Sequence, residues 1–113
     1  MNLKAIITAT AHKVPEKIMT NFDLEKLVDT SDEWIRSRTG IIKRHVVSQN
    51  EATSDISTKI AESLLKKSGI SAKEIDLIII GTITPDHFTP STAALVQKNI
   101  QALNAWGFDL SAA

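Results

Sequence analysis

The residues with the clearest chemical potential lie in the segment DTSDEWIRSRTGI, Asp29 to Ile41. Trp34 and Arg38 are four apart and would share one face of a helix, whereas Arg36 would point elsewhere. An indole face beside a guanidinium can hold an aromatic base and a phosphate together. Spacing alone leaves a second role open, in which Trp34 covers the edge of a core and the arginines are solvated. The wider run Arg36, Arg38, Lys43 and Arg44 could meet a phosphate or an acidic protein. It could equally be a solvated face balanced by Asp29, Asp32 and Glu33.

A second candidate lies at the end of the chain, WGFDLSAA. Trp106, Phe108 and Leu110 alternate with Gly107 and Asp109, which predicts a strand. Ser111, Ala112 and Ala113 are small and would enter a tight turn. A strand passing through small residues into a turn before a helix can display a nucleophile whose anion the helix N-terminus stabilises. By itself this signal is weak, because many strands end in alanines. The three histidines, His12, His45 and His87, are far apart and have no local metal spacing. His45 is expected to be structural, and His87 in TPDHFTPS could line a site. No G-x-G-x-x-G, Walker A or G-x-S-x-G pattern occurs.

These candidates need elements to position them. Leu3 to Thr10 is predicted as a strand with Ile6, Ile7 and Thr8 at its centre, and Asn21 as the N-cap of a short helix carrying Leu24, Leu27 and Val28. Thr30 and Glu33 have the spacing of a capping box for a second short helix, and Gly40 stands where a left-handed C-terminal residue is expected. Ile41 to Val47 reads as a strand. Thr53 to Ser68 is the clearest helix, with Ile56, Ile60 and Leu64 recurring every four residues and Ala61 and Leu65 widening the stripe. Lys66 and Lys67 suit its last turn, and Gly69 ends it. Ser71 and Glu74 predict another capped turn. In DLIIIGTIT the run Leu77 to Ile80 has no polar face, the pattern of a strand buried on both sides. Pro90 and Ser91 would open a helix with Ala94, Leu95 and Ile100 inward, before the terminal strand.

This alternation predicts an α/β fold. At 113 residues the chain is long enough for one domain and too short for two. Two long helices are too few to cover both faces of a sheet, so the sequence reads as an incomplete unit, the next element being the missing cover. Hydrophobic residues make up 42% and charged residues 23%, which argues against disorder. Thirteen basic and thirteen acidic residues cancel, giving no electrostatic case for nucleic acid or an anionic membrane. No apolar run reaches the ~18 residues of a membrane span, and the start is a poor signal peptide. Without cysteine these residues hold no disulfide, thiolate or thiolate-bound metal.

Taken together, TNFDLEKLVDTSDEWIRSRTGI, PSTAALVQ and GFDLSAA resemble the amino-terminal third of β-ketoacyl-acyl-carrier-protein synthase III. That enzyme is the initiating condensing enzyme of bacterial type II fatty-acid synthesis. The resemblance implies a thiolase-like α/β fold, here a partial amino-terminal half with a mixed, mostly parallel sheet covered by helices. Residues 1–113 would then be an incomplete domain, with the remainder of the enzyme absent. The family's nucleophilic cysteine directly follows an SAA-type strand end, so it would stand just after Ala113, and its His and Asn lie further on. No residue of this chain is therefore assigned a catalytic role. Thr30, Trp34 and Arg38 match the family's coenzyme A contacts: Trp34 stacking on the adenine, Thr30 hydrogen-bonding it, and Arg38 near the phosphates.

No cofactor or metal is implied; a coenzyme A thioester is the substrate. Acyl-CoA and acyl-carrier protein are the implied partners, in a cytoplasmic homodimer without nucleic acid or membrane. Thr84 to Ser91 resembles the segment that crosses the dimer interface and closes the partner's acyl pocket. Many relatives carry a bulky aromatic just before the proline; here Thr89 stands there, with Phe88 one place earlier. At Thr8 to His12, TATAH, relatives more often have glycines. Three other readings remain: a thiolase-fold ketosynthase of secondary metabolism, a non-catalytic fragment that pairs its last strand with another chain, and a nucleotide-binding module.

Overall fold

The computed structural model describes residues 4–111. They fall into two compact units, one formed by Val14–Glu51 and the other by the rest of the chain.

In the Val14–Glu51 unit, β1 (Lys17–Thr20) pairs antiparallel with β2 (Lys43–Val46), Ile18 opposite His45 and Met19 opposite Arg44. Helices α1 (Asn21–Glu25) and α2 (Asp32–Thr39) connect them. Thr20, not Asn21, caps α1: its Oγ1 accepts from the Asp23 amide, and its own amide donates to Asp23 Oδ2 at 2.9 Å. Asn21 instead turns wholly inward, with no exposed surface. Likewise Ser31, not Thr30, caps α2, accepting from the Trp34 amide at 3.1 Å. Each cap falls one residue from its predicted place, because the neighbouring residue carries an equally competent oxygen. Gly40 ends α2 in the left-handed conformation, φ 71°. The strand expected over Ile41 to Val47 is confined to Lys43–Val46.

In the second unit, α3 (Thr53–Ser68) has the predicted bounds, with Lys66 and Lys67 in its last turn and Gly69 as its left-handed C-cap. Its N-cap residue, Ala52, has no oxygen to offer. Asp55 Oδ2 accepts from the Ala52 amide at 2.9 Å, and Asp86, from a distant loop, accepts from the Ser54 amide at 2.9 Å and its hydroxyl at 2.5 Å. A 3-10 turn over Ala72–Glu74 is held by the expected Ser71–Glu74 box.

Next come β3 (Leu77–Gly81), α4 (Thr92–Asn99) and β4 (Trp106–Leu110). β3 and β4 are parallel, Ile79 opposite Phe108. The parallel and antiparallel pairings thus lie in separate two-stranded sheets. A parallel pair needs a crossover connection, and α4 supplies it.

Helix α4 packs on one face of this pair and against α3. Its buried side chains are Thr92, Ala93 and Val96, whereas Ala94, Leu95 and Ile100 are only half-buried. The close seating of Ala93 against Gly107 of β4 fixes the rotation of the helix and so which residues turn inward. The approach is close: a Cβ on Gly107 would stand 2.9 Å from the Ile78 carbonyl oxygen and 3.1 Å from Ala93 Cβ.

The burial expected on both sides of Leu77 to Ile80 is not observed. Ile78 and Ile80 face α4, but Leu77 and Ile79 are 40% and 50% exposed. Trp106, Phe108 and Leu110 extend the same uncovered apolar face, with Trp106 and Phe108 ring centroids 5.8 Å apart. Among the described residues no helix covers that side.

The strand expected from Leu3 to Thr10 is also not observed. Leu3 lies outside the described residues, and 4–10 are irregular, with Ile6 and Ile7 80% and 85% exposed. β-branched residues favour a strand only where a neighbouring strand completes the ladder. Here the described partner of β3 is β4, and the antiparallel pair uses Lys17–Thr20.

Candidate functional site

Helix α2 is built around one apolar contact and one exposed face. Ile35 is its buried residue. Asp32 and Arg36, one turn apart, pair at 3.4 Å, the arginine exposed and the aspartate half-buried. Such a pair contributes little to stability, but it engages the Arg36 guanidinium. Trp34 and Arg38 form the adjacent row. Trp34 is 58% exposed, and Arg38 is exposed and makes no ion pair among the described residues. The Trp34 backbone is fixed from both sides: its amide by the Ser31 cap and its carbonyl by the Ser37 hydroxyl at 3.0 Å. Thr30, half-buried, immediately precedes the cap.

The basic run expected as a cluster is divided by the fold. Arg44 turns inward, donating to the Met19 carbonyl at 3.3 Å and to Asn21 Oδ1 at 2.5 Å. Arg36 is held by Asp32; Arg38, Lys43 and Arg44 make no ion pair among the described residues, and Arg44 is engaged by neutral oxygens. The exposed row of α2 offers an indole surface and one guanidinium, and Thr30 stands just before the helix cap in sequence. Those groups suit stacking and anion binding rather than bond making.

Sequence reasoning passed over the role of Asn21. Its Nδ2 donates to Asp32 Oδ1 and to the Ile41 carbonyl, both at 2.8 Å, and its amide donates to the Ile42 carbonyl at 3.3 Å. The partners define the amide's orientation, because Asp32 and Ile41 only accept and Arg44 only donates. The available signal was an asparagine directly beside a second residue able to cap, Thr20. In the same turn, the Asp23 carboxyl is held below its ordinary value by the Thr20 hydroxyl, then by the Thr20 amide.

A separate concavity lies at the carboxyl ends of the parallel strands, lined by the 82–88 loop, Ser91, Phe108, Asp109 and Ser111. This is where open α/β sheets place ligands. His87 and Phe88 are exposed on its loop. The Asp109 carboxylate is already engaged: its oxygens accept from the Thr92 and Ala93 amides at 2.7 and 2.8 Å, capping α4. Asp86 is likewise committed to α3. Ala112 and Ala113, the small residues of the predicted turn, lie outside the described residues. His45 is structural, as expected, its Nδ1–H donating to the Pro15 carbonyl at 2.6 Å. Among the described residues no group of three His, Asp or Glu side chains could hold a metal. No helix among them is long and apolar enough to cross a membrane.

No protein-family model matches the chain. Among curated proteins it is 60% identical over 112 residues, 98% of its length, to a β-ketoacyl-[acyl-carrier-protein] synthase III of Chlorobaculum tepidum. It is 58% identical over 109 residues to that of Streptococcus sanguinis. The chain spans 34% and 33% of the length of these relatives. Among solved structures, the 3-oxoacyl-[acyl-carrier-protein] synthase III of Aquifex aeolicus VF5 superposes with a TM-score of 0.86 at 45% identity, over 93% of this chain and 34% of that one. A priming β-ketosynthase of the R1128 polyketide pathway superposes with a TM-score of 0.87 at 29% identity, over 94% of this chain and 32% of that one. In sequence and in thiolase-like α/β fold alike, this chain is similar along nearly its whole length to about a third of a β-ketoacyl-[acyl-carrier-protein] synthase III.

Proposed function

We propose that this chain is the amino-terminal, coenzyme A-recognising part of an initiating β-ketoacyl-acyl-carrier-protein synthase. The observation that carries the proposal is 60% identity sustained over 98% of the chain. In this reading the complete enzyme works in the cytoplasm as a homodimer and needs no cofactor. A cysteine thiolate attacks the thioester carbonyl of acetyl-CoA, and the coenzyme A thiol leaves. Malonyl-acyl-carrier protein then loses carbon dioxide, and the resulting carbanion attacks the acyl-cysteine. A β-ketoacyl product forms and the thiolate is released. This chain has no cysteine, so its share is recognition and not bond making.

The exposed row on α2 supports that share. Trp34 offers a face for the adenine, Arg38 a cation for the phosphates, and Thr30 a hydroxyl beside them. Stacking of a base on an aromatic side chain contributes about 1–3 kcal/mol. In the full-length protein, Trp34→Ala and Arg38→Ala are therefore expected to raise KM for acetyl-CoA about tenfold while leaving KM for malonyl-acyl-carrier protein unchanged. An unchanged KM for acetyl-CoA in both variants would refute the assignment.

A second reading is a priming ketosynthase of secondary metabolism, since the R1128 enzyme superposes as well as the synthase III does, though at 29% rather than 45% identity. Thr89 before the proline, with exposed Phe88 one place earlier, leaves the starter group open to other acyl chains. A starter-unit profile of the full-length protein separates the two: acetyl-CoA preferred in the first case, a longer or branched acyl-CoA in the second.

A further inference from the structure

We infer that Asn21 is a positioning residue for the Trp34–Arg38 face, acting by gripping helix α2 at both ends. The inference rests on the coenzyme A reading of that face. Helix α2 is eight residues long and buries one side chain, Ile35. A single apolar contact leaves the tilt and rotation of a short helix poorly determined. The missing constraint is polar. One Nδ2 hydrogen of Asn21 goes to Asp32, the first residue of α2, and the other to the carbonyl of Ile41, just past the Gly40 cap. Arg44 of β2 holds the Oδ1 from the opposite side.

No other side chain of this size supplies two donors and an acceptor from one plane. Aspartate would lose both donations and face the Asp32 carboxylate. Alanine would strand the partners around a site with no access to water. Asn21 touches neither Trp34 nor Arg38 in any hydrogen bond, so its effect on a ligand must pass through the orientation of α2.

The test is steady-state kinetics of the full-length protein. Asn21→Ala is expected to raise KM for acetyl-CoA about tenfold, with kcat and the KM for malonyl-acyl-carrier protein within about twofold of wild type. Asp32→Ala, which cuts the α2 end of the grip, leaves Asn21 its bonds to Ile41 and Arg44 and also frees Arg36, is expected to do the same. Asp32→Asn likewise ends the charge pair with Arg36 but keeps an acceptor oxygen for Asn21, and is expected to stay near wild type. The Asp32 pair decides the matter if Asn21→Ala does not fold. An unchanged KM for acetyl-CoA in Asp32→Ala, or a parallel loss in kcat and both KM values, overturns the inference. Trp34→Ala measured alongside separates the two levels. If it raises KM and the Asn21 and Asp32 variants do not, the positioning role alone fails. If it has no effect, the reading of the face fails and the role of Asn21 falls with it.

Discussion

Replacing Asp109 by alanine should release the first turn of α4 from the parallel sheet. The Asp109 carboxylate takes two amides, Thr92 at 2.7 Å and Ala93 at 2.8 Å, and both residues are 0% exposed. Without the carboxylate neither amide can turn to water. A hydrogen bond to a charged group contributes about 1.5–3 kcal/mol, against ~1 kcal/mol for an ordinary N-cap. The Ser91 hydroxyl still serves the Ala94 amide at 3.2 Å, so the helix keeps part of its start. The net loss should be about 3 kcal/mol, roughly a hundredfold increase in local opening. Amide hydrogen exchange at Thr92 and Ala93 reads this directly, with the α3 amides as control. Asp109→Asn keeps one acceptor oxygen and should show about half the loss, near tenfold. Exchange at both amides within about threefold of wild type in Asp109→Ala would refute the view that this carboxylate is the main tie between β4 and α4.

Two further outcomes follow from local geometry. Gly107→Ala should destabilise the protein by about 2 kcal/mol, because the new Cβ meets the Ile78 carbonyl, which belongs to the paired strand and cannot yield like a side chain; urea unfolding measures it, and an unchanged midpoint would show that the strands shift freely. The Asp23 carboxyl is held low by Thr20, so its contribution to the first turn of α1 is complete above the ordinary carboxylate value and is lost as pH falls through its lower folded value. Thr20→Val should move the Asp23 titration, followed by NMR, back up toward the ordinary value; identical titrations in both proteins would discard the Thr20 hydroxyl as the cause.

What could be read along the chain was whatever depends on residues within one turn of each other. The bounds of α3, its terminal lysines and Gly69, the left-handed Gly40, the Ser71–Glu74 box and the shared row of Trp34 and Arg38 are all of this kind. They rest on i to i+4 spacing, which backbone geometry imposes wherever a helix forms. Choices between equally able neighbours were settled by contacts remote in sequence. Thr20 caps α1 because Asn21 is drawn into a buried hub with Asp32, Ile41 and Arg44. Arg44 faces inward for the same reason, while Arg38 stays on the surface.

Strands depended most on the fold. A strand exists only as half of a pair, so the β-branched Ile6 and Ile7 form none where no ladder receives them, and the modest Lys17–Thr20 does because β2 lies beside it. The carboxylates that start α3 and α4, Asp86 and Asp109, stand 32 and 17 residues from the amides they hold. Periodicity carries no information over that separation. Chain crossing brings those groups together, and the need of a buried amide for a partner keeps them there.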